Sequence, residues 1–248
     1  MPFAPHVKHV ARRAALLAVM AFAPPCWGQA EALAPEVARV FEAIDDGKEL
    51  LAEGLIRARK VDVNARNAAG ETPLHRAVER GLKELARALV GVGASLRARS
   101  ASGETALHLA ALHDDPALAD LLISAGADPR ARNDDGESVL QWAVLTGNAN
   151  TAKFLLERGA DPNVRDLSGN GVMHAAADAG SAELVKLLLP HVKEPAAANR
   201  AGHTARDVAQ AHGYAEIVRL LEAAPQASGG TNLRTMSPDE ADRNRDAR

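Results

Sequence analysis

The chain has 248 residues, of which 47% are apolar but only 3% aromatic, and its formal charge is −3. That length admits one or two domains. The scarcity of aromatics disfavours a sandwich or barrel core and favours helices packed through small residues. The mild acidity argues against non-specific binding to nucleic acid or anionic lipid, which needs a basic face.

The first thirty residues read as an address. His6, Lys8, His9, Arg12 and Arg13 form a basic start, AALLAVMAFA at 14–23 a short apolar run, and Gly28 and Ala30 a pair of small residues two apart. This order predicts a secretory signal cleaved after Ala30. The run is about half of the ~20 residues that span a bilayer, so a retained anchor is the weaker reading. Arg12 and Arg13 lack the flanks of a twin-arginine signal, and the residues before Cys26 lack the context of a lipoprotein site. No later apolar run is long enough to cross a membrane. The mature product is therefore expected in the periplasm or outside the cell, without stable membrane insertion, and the Ala- and Arg-rich usage suggests a bacterium. Processing removes Cys26, the only cysteine, and with it any disulfide or thiol nucleophile. It also leaves 26 basic against 32 acidic residues, a net charge of −6.

Residues 36–64 carry a helix pair with Phe41 and Ile44 on its apolar face. Beyond it, one segment recurs. GETPLHRAVERG starts at Gly70, GETALHLAALHD at Gly103, GESVLQWAVLTG at Gly136, GNGVMHAAADAG at Gly169 and GHTARDVAQAHG at Gly202. Each start lies 33 residues after the last, a period that signals stacked units. In residues 67–98, NAAG is a turn, Thr72 an N-cap and Pro73 a first helical residue that needs no N–H. Leu74, Ala77 and Val78 make one apolar face, and Gly81 ends the helix. A second helix is predicted from Leu82 to Val92 with Leu85, Ala88 and Leu89 inward. Both helices fall below the ~12–15 residues at which isolated helices become marginal, so each needs neighbours on both sides.

The period, TPLHRA at 72–77, TALHLA at 105–110 and GADP at 126–129 and 159–162 resemble the ankyrin repeat family over roughly residues 35–224. The resemblance implies an all-α repeat solenoid: helix-turn-helix units with β-hairpin loops, and a concave face that binds other proteins. Residues 31–224 then form about six repeats, with 36–66 an N-terminal cap and 200–224 a C-terminal cap. LLLPHVKEPAAANRAG replaces the usual arm in the fifth spacing, so the hairpin near Pro190–Pro195 is expected to be reshaped. Arg206 and Asp207 stand where Leu and His usually do. Residues 225–248 hold almost nothing that could build a core and are expected to be a disordered tail.

His75, His108 and His174 are equivalent positions, taken by Gln141 and Asp207 elsewhere. The resemblance implies that this histidine bonds neighbouring repeats. Helices pack about 8–10 Å apart, too far for two such histidines to share a zinc at ~2.0–2.1 Å. His113, Asp114 and Asp115 form a polar cluster at a turn, where a carboxylate capping the next helix is preferred over a metal site. No nucleophile elbow or phosphate loop occurs, so neither catalysis nor a cofactor is expected. The resemblance to bacterial members also admits a protective accessory, such as a toxin immunity protein or a helper of an oxidative-stress enzyme.

Across the hairpins, Arg66, Arg99 and Arg132 stand opposite Glu71, Glu104 and Glu137. Pairing there would contribute roughly 0.2–1 kcal/mol each. With Arg165 these arginines could instead form a ladder for an acidic partner; hairpin support is the preferred reading. For partner binding, the position after the repeat histidine is taken to face the groove. This nominates Arg76, Leu109 and Trp142, with Arg80 and His113 one turn on. Trp142, the only tryptophan left after processing, is the expected anchor, against the alternative that it packs between repeats. The partner is expected to be another protein and the chain itself a monomer.

Overall fold

A computed structural model describes residues 34–58 and 61–224. The signal and tail therefore lie outside the described residues. Twelve helices occur among the described residues, in six antiparallel pairs. They are α1 (Pro35–Asp45) and α2 (Glu49–Arg57), α3 (Pro73–Glu79) and α4 (Lys83–Gly91), then α5 (Ala106–Ala110) and α6 (Ala117–Ser124). The second half holds α7 (Val139–Leu145) and α8 (Ala149–Glu157), α9 (Val172–Asp178) and α10 (Ala182–Leu188), and α11 (Ala205–Ala211) and α12 (Ala215–Glu222). The first helices form one row, each packed on its counterpart in the next pair, and second helices pack on one another at both ends of the stack. Among the described residues, no helix is long and apolar enough to cross a membrane.

The sequence signals act where expected. Thr72 has extended backbone angles (φ −93°, ψ 166°) and Pro73 opens α3. Gly81 closes the turn at φ 74°. On α4 the buried positions are Leu85, Ala86 and Leu89. Ala88, assigned inward from sequence, is only half-buried: it and Ala86 flank the Leu85–Leu89 stripe on opposite sides, and the neighbouring helices cover the Ala86 side. The apolar residues of successive pairs join into one continuous core from Val40 to Leu221, as nearest-neighbour stacking requires. Phe41 and Ile44 are buried at the N-terminal end.

The hairpins stack through their backbones. Ala101, Asp134, Leu167 and Arg200 each donate an N–H to the preceding hairpin, at Ala69, Ser102, Asp135 and Ser168, over 2.8–3.0 Å. Gly70 shows why the turn needs glycine twice over. Its φ is +72°, and a Cβ there would stand 2.7 Å from the Ala101 nitrogen. The only β-bridge among the described residues joins Arg132 to Ser138.

In the fifth spacing the expected change near Pro190–Pro195 falls on the arm and not on the hairpin turn. The turn at its end is ordinary: Gly202 donates to Asn199 at 3.0 Å, as Gly70 does to Asn67 at 2.8 Å. The change is confined to the arm before it. Gly93, Gly126 and Gly159 leave their second helices at positive φ, whereas Val192 holds the equivalent place. Asn163 reaches across to fix this arm, accepting from Lys193 N at 2.9 Å.

Candidate partner-binding cleft

Each repeat is tied to the next by its histidine. The Thr72 backbone N–H donates to His75 Nδ1 at 3.2 Å. A backbone N–H can only donate, so Nδ1 is bare and the proton sits on Nε2. Nε2 then donates to the Glu104 carbonyl of the next repeat at 3.2 Å. His108 repeats the arrangement toward Glu137, and His174 toward His203. Gln141 keeps it with different atoms: Oε1 accepts from Ser138 N and Nε2 donates to the Asn170 carbonyl, both at 2.9 Å. Burial lowers the His174 pKa below its ordinary 6.5, in keeping with this neutral ring. At the last repeat Asp207 accepts from Thr204 N and Oγ1 at 2.8 and 2.7 Å. Those bonds hold its carboxyl below the usual range. A carboxylate has no donor to offer a further repeat, which suits a terminal unit.

One cap is incomplete. Gly171 occupies the N-cap place with φ −103° and ψ −178°, in the extended region that Thr or Ser fills elsewhere. A Cβ there would meet only the Val164 carbonyl at 3.7 Å, an ordinary contact. Gly171→Thr is expected to stabilise the protein by about 1 kcal/mol, from a hydroxyl cap and a less entropic unfolded chain. Urea denaturation would read this as a raised midpoint at unchanged slope.

The hairpin arginines act along the stack. Arg66 donates to the Gly70 and Arg99 carbonyls. Arg99 donates to the Arg132 carbonyl at 2.9 Å, and Arg132 to that of Arg165 at 2.7 Å. Arg165 donates to Ala198 O at 2.9 Å. The glutamates opposite are held by their own turns, Glu71 by Asn67 and Glu137 by Asn133. Hairpin support is thus the role seen, through carbonyls one repeat away rather than through the cross-turn pairs expected. A guanidinium reaches past its own narrow turn and finds the next backbone in line.

The residues nominated for partner contact mostly face the preceding repeat. Leu109 is 0% exposed and belongs to the core, which removes it from any surface. Arg76 pairs with Asp45 and Glu79, and Arg80 donates to the Asp45 carbonyl at 2.8 Å. His113 Nε2 bonds the Val78 carbonyl at 2.9 Å. Asp114 accepts from Asn150, and Asp115 caps α6 through Ala117 N. Trp142 is partly buried against the core. Its ring meets His108 edge-on at 5.5 Å and its Nε1 donates to Glu137 at 2.9 Å. Among the described residues, no group of three or more His, Cys, Asp or Glu could hold a metal ion.

A cleft of about 670 Å³ opens over the last three of these repeats. Its floor carries Leu145, Asp178 and Ala211, the last residues of α7, α9 and α11. Ala175 and Val208 add apolar surface, and Leu167, 55% exposed, overhangs from a hairpin tip. Glu137, which holds Trp142, borders the cleft. The floor residues lie four places after Gln141, His174 and Asp207. A step of four returns to within about 40° on a helix, whereas a step of one turns it by about 100°. The histidine register in the sequence could therefore have located this row.

The 33-residue units, their paired helices and the stacked hairpin turns define a repeat solenoid. A family profile described as ankyrin repeats (3 copies) matches residues 40–133, 103–166 and 142–228. This chain belongs to the ankyrin repeat family. No curated protein matches it. Among solved structures, it is similar to the crystal structure of the ankyrin repeat domain of Bcl-3, a unique member of the IkappaB protein family. The two are 33% identical over 76% of this chain and 86% of that one, with a TM-score of 0.65. Ankyrin repeats as a class mediate protein–protein interaction and are typically non-enzymatic.

Proposed function

We propose that the mature protein is a monomeric, non-enzymatic scaffold of the periplasm or cell exterior that holds one partner protein in this cleft. The observation that carries the reading is the cleft itself. Its volume lies within the range of ordinary ligand pockets, and its apolar floor is ringed by a few polar groups. That is room for a few side chains of an extended loop rather than for a folded surface. The location rests on the basic start, the apolar run and the small residues Gly28 and Ala30.

Ala211 is exposed on the floor, so Ala211→Trp fills the cleft without touching the core. Affinity capture from a periplasmic fraction of the source cell, with mass spectrometry, should retain one partner on the wild type and lose it on Ala211→Trp. Trp142→Ala should weaken that partner only as far as it frees Glu137. Retention of the same partner by Ala211→Trp would move the interface to the hairpins or the tail. Recovery of the protein in the cytoplasm with residues 1–30 attached would end the claim about its location.

A further inference from the structure

The cleft has a chemical preference that its shape alone does not state. Of the charged residues lining it, three are acidic (Glu137, Asp166 and Asp178) and one, Arg200, is an arginine. Two of the carboxylates are committed. Glu137 accepts from Asn133 and Trp142. Asp166 accepts from the Ser168 and Asn170 backbones and the Asn170 amide. Asp178 is different. Among the described residues its carboxylate meets only His212 Nε2, at 3.1 Å.

Its placement is also unfavourable for the fold. Asp178 is the last residue of α9, where the backbone carbonyls already gather negative charge and a cation is the preferred neighbour. Leu145 and Ala211 flank it along the floor, one repeat to each side. His212, the other group at this carboxylate, is stacked on Tyr214 with ring centroids 5.5 Å apart, and Asp178 lines the cleft beside it.

Resting on the reading of the cleft as the partner site, we infer that its occupant is a lysine- or arginine-bearing loop of another protein. The cationic head meets Asp178, and the aliphatic stem lies along the apolar floor on one side of it, over Leu145. Long basic side chains suit such a site because the stem is apolar and only the tip is charged. A carboxylate whose one partner is a histidine ring, set on a mostly apolar floor, disfavours acidic or purely aliphatic anchors, which gives selectivity as well as affinity. The net −6 of the mature chain adds long-range attraction for a basic partner.

The test uses the mature full-length chain and a phage-displayed library of random nonapeptides. Selections run in parallel on wild type, Ala211→Trp and Asp178→Asn. Peptides recovered on wild type and lost on Ala211→Trp are the cleft binders, and that substitution changes no charge. These peptides should carry a Lys or Arg at one fixed position. Replacing it by Glu in a fluorescent copy should weaken binding at least ten-fold by anisotropy. Asp178→Asn should remove most of that discrimination, and its melting temperature should equal or exceed that of wild type. Cleft binders with no basic position would overturn the inference while leaving the cleft as the binding site. Failure to recover any peptide sensitive to Ala211→Trp would overturn both. A clear loss of stability in Asp178→Asn would assign Asp178 a structural role instead.

Discussion

Leu109→Ala is expected to destabilise the protein by about 2–5 kcal/mol, as deletions of fully buried leucines do. Leu109 lies in α5, the shortest helix among the described residues, packed between α3 and α7. Five residues cannot hold a helix alone, so α5 exists because its neighbours cover it. The cavity left by alanine would stand near the middle of a stack whose stability is a sum of repeat and interface terms. The loss should therefore weaken the coupling between the two halves as well as the local core. Chemical denaturation followed by circular dichroism would show a lowered midpoint, and a second transition if the halves separate. Leu109→Met, which conserves volume, should cost less than about 1.5 kcal/mol. A substitution at an exposed contact residue would fall within about 0.5 kcal/mol. A change that small in Leu109→Ala would return this residue to the surface and refute its place in the core.

His75→Ala is the second large effect, with an expected loss of about 2–6 kcal/mol. The imidazole joins the Thr72 N–H to the Glu104 carbonyl, and all three residues are buried. Alanine would leave one donor and one acceptor unsatisfied, at about 1–3 kcal/mol each when no water replaces the ring. His75→Gln should restore most of the loss, because Gln141 performs both roles in the fourth repeat with bonds of 2.9 Å. Thermal unfolding of the three proteins side by side checks this. Equal losses in the alanine and glutamine variants would show that the ring is held for its volume, and the bridging role would fall.

The two effects concern adjacent rows of the same architecture, and they mark where sequence reasoning reached and where it stopped. The 33-residue period, the Thr-Pro helix starts and the glycine turns are local devices. Their chemistry is complete within a few residues, so the family and the fold could be read directly. The histidine bridge was legible too, through the resemblance. The tip of each hairpin was not. Arg99 and Glu104 lie on either side of one turn, and a cross-turn pair is the natural local reading. Only the stacked backbone shows that the guanidinium finds the Arg132 carbonyl instead.

The exposure of the first-helix row was misread for a related reason. Leu109 and Trp142 follow the repeat histidine by one residue, which turns them about 100° around the helix toward the preceding repeat. Periodicity tells which residues share a face but not which face a second layer will cover. Thus the 33-residue spacing, the turn residues and the motifs that carry the resemblance by themselves determined the family and the repeat register. The tertiary structure alone decided that Leu109 is core, that Trp142 leans on His108 and Glu137, and that Leu145, Asp178 and Ala211 form the floor of the cleft. Those assignments depend on how neighbouring repeats are set against one another, through contacts between residues a full repeat apart that no local pattern encodes.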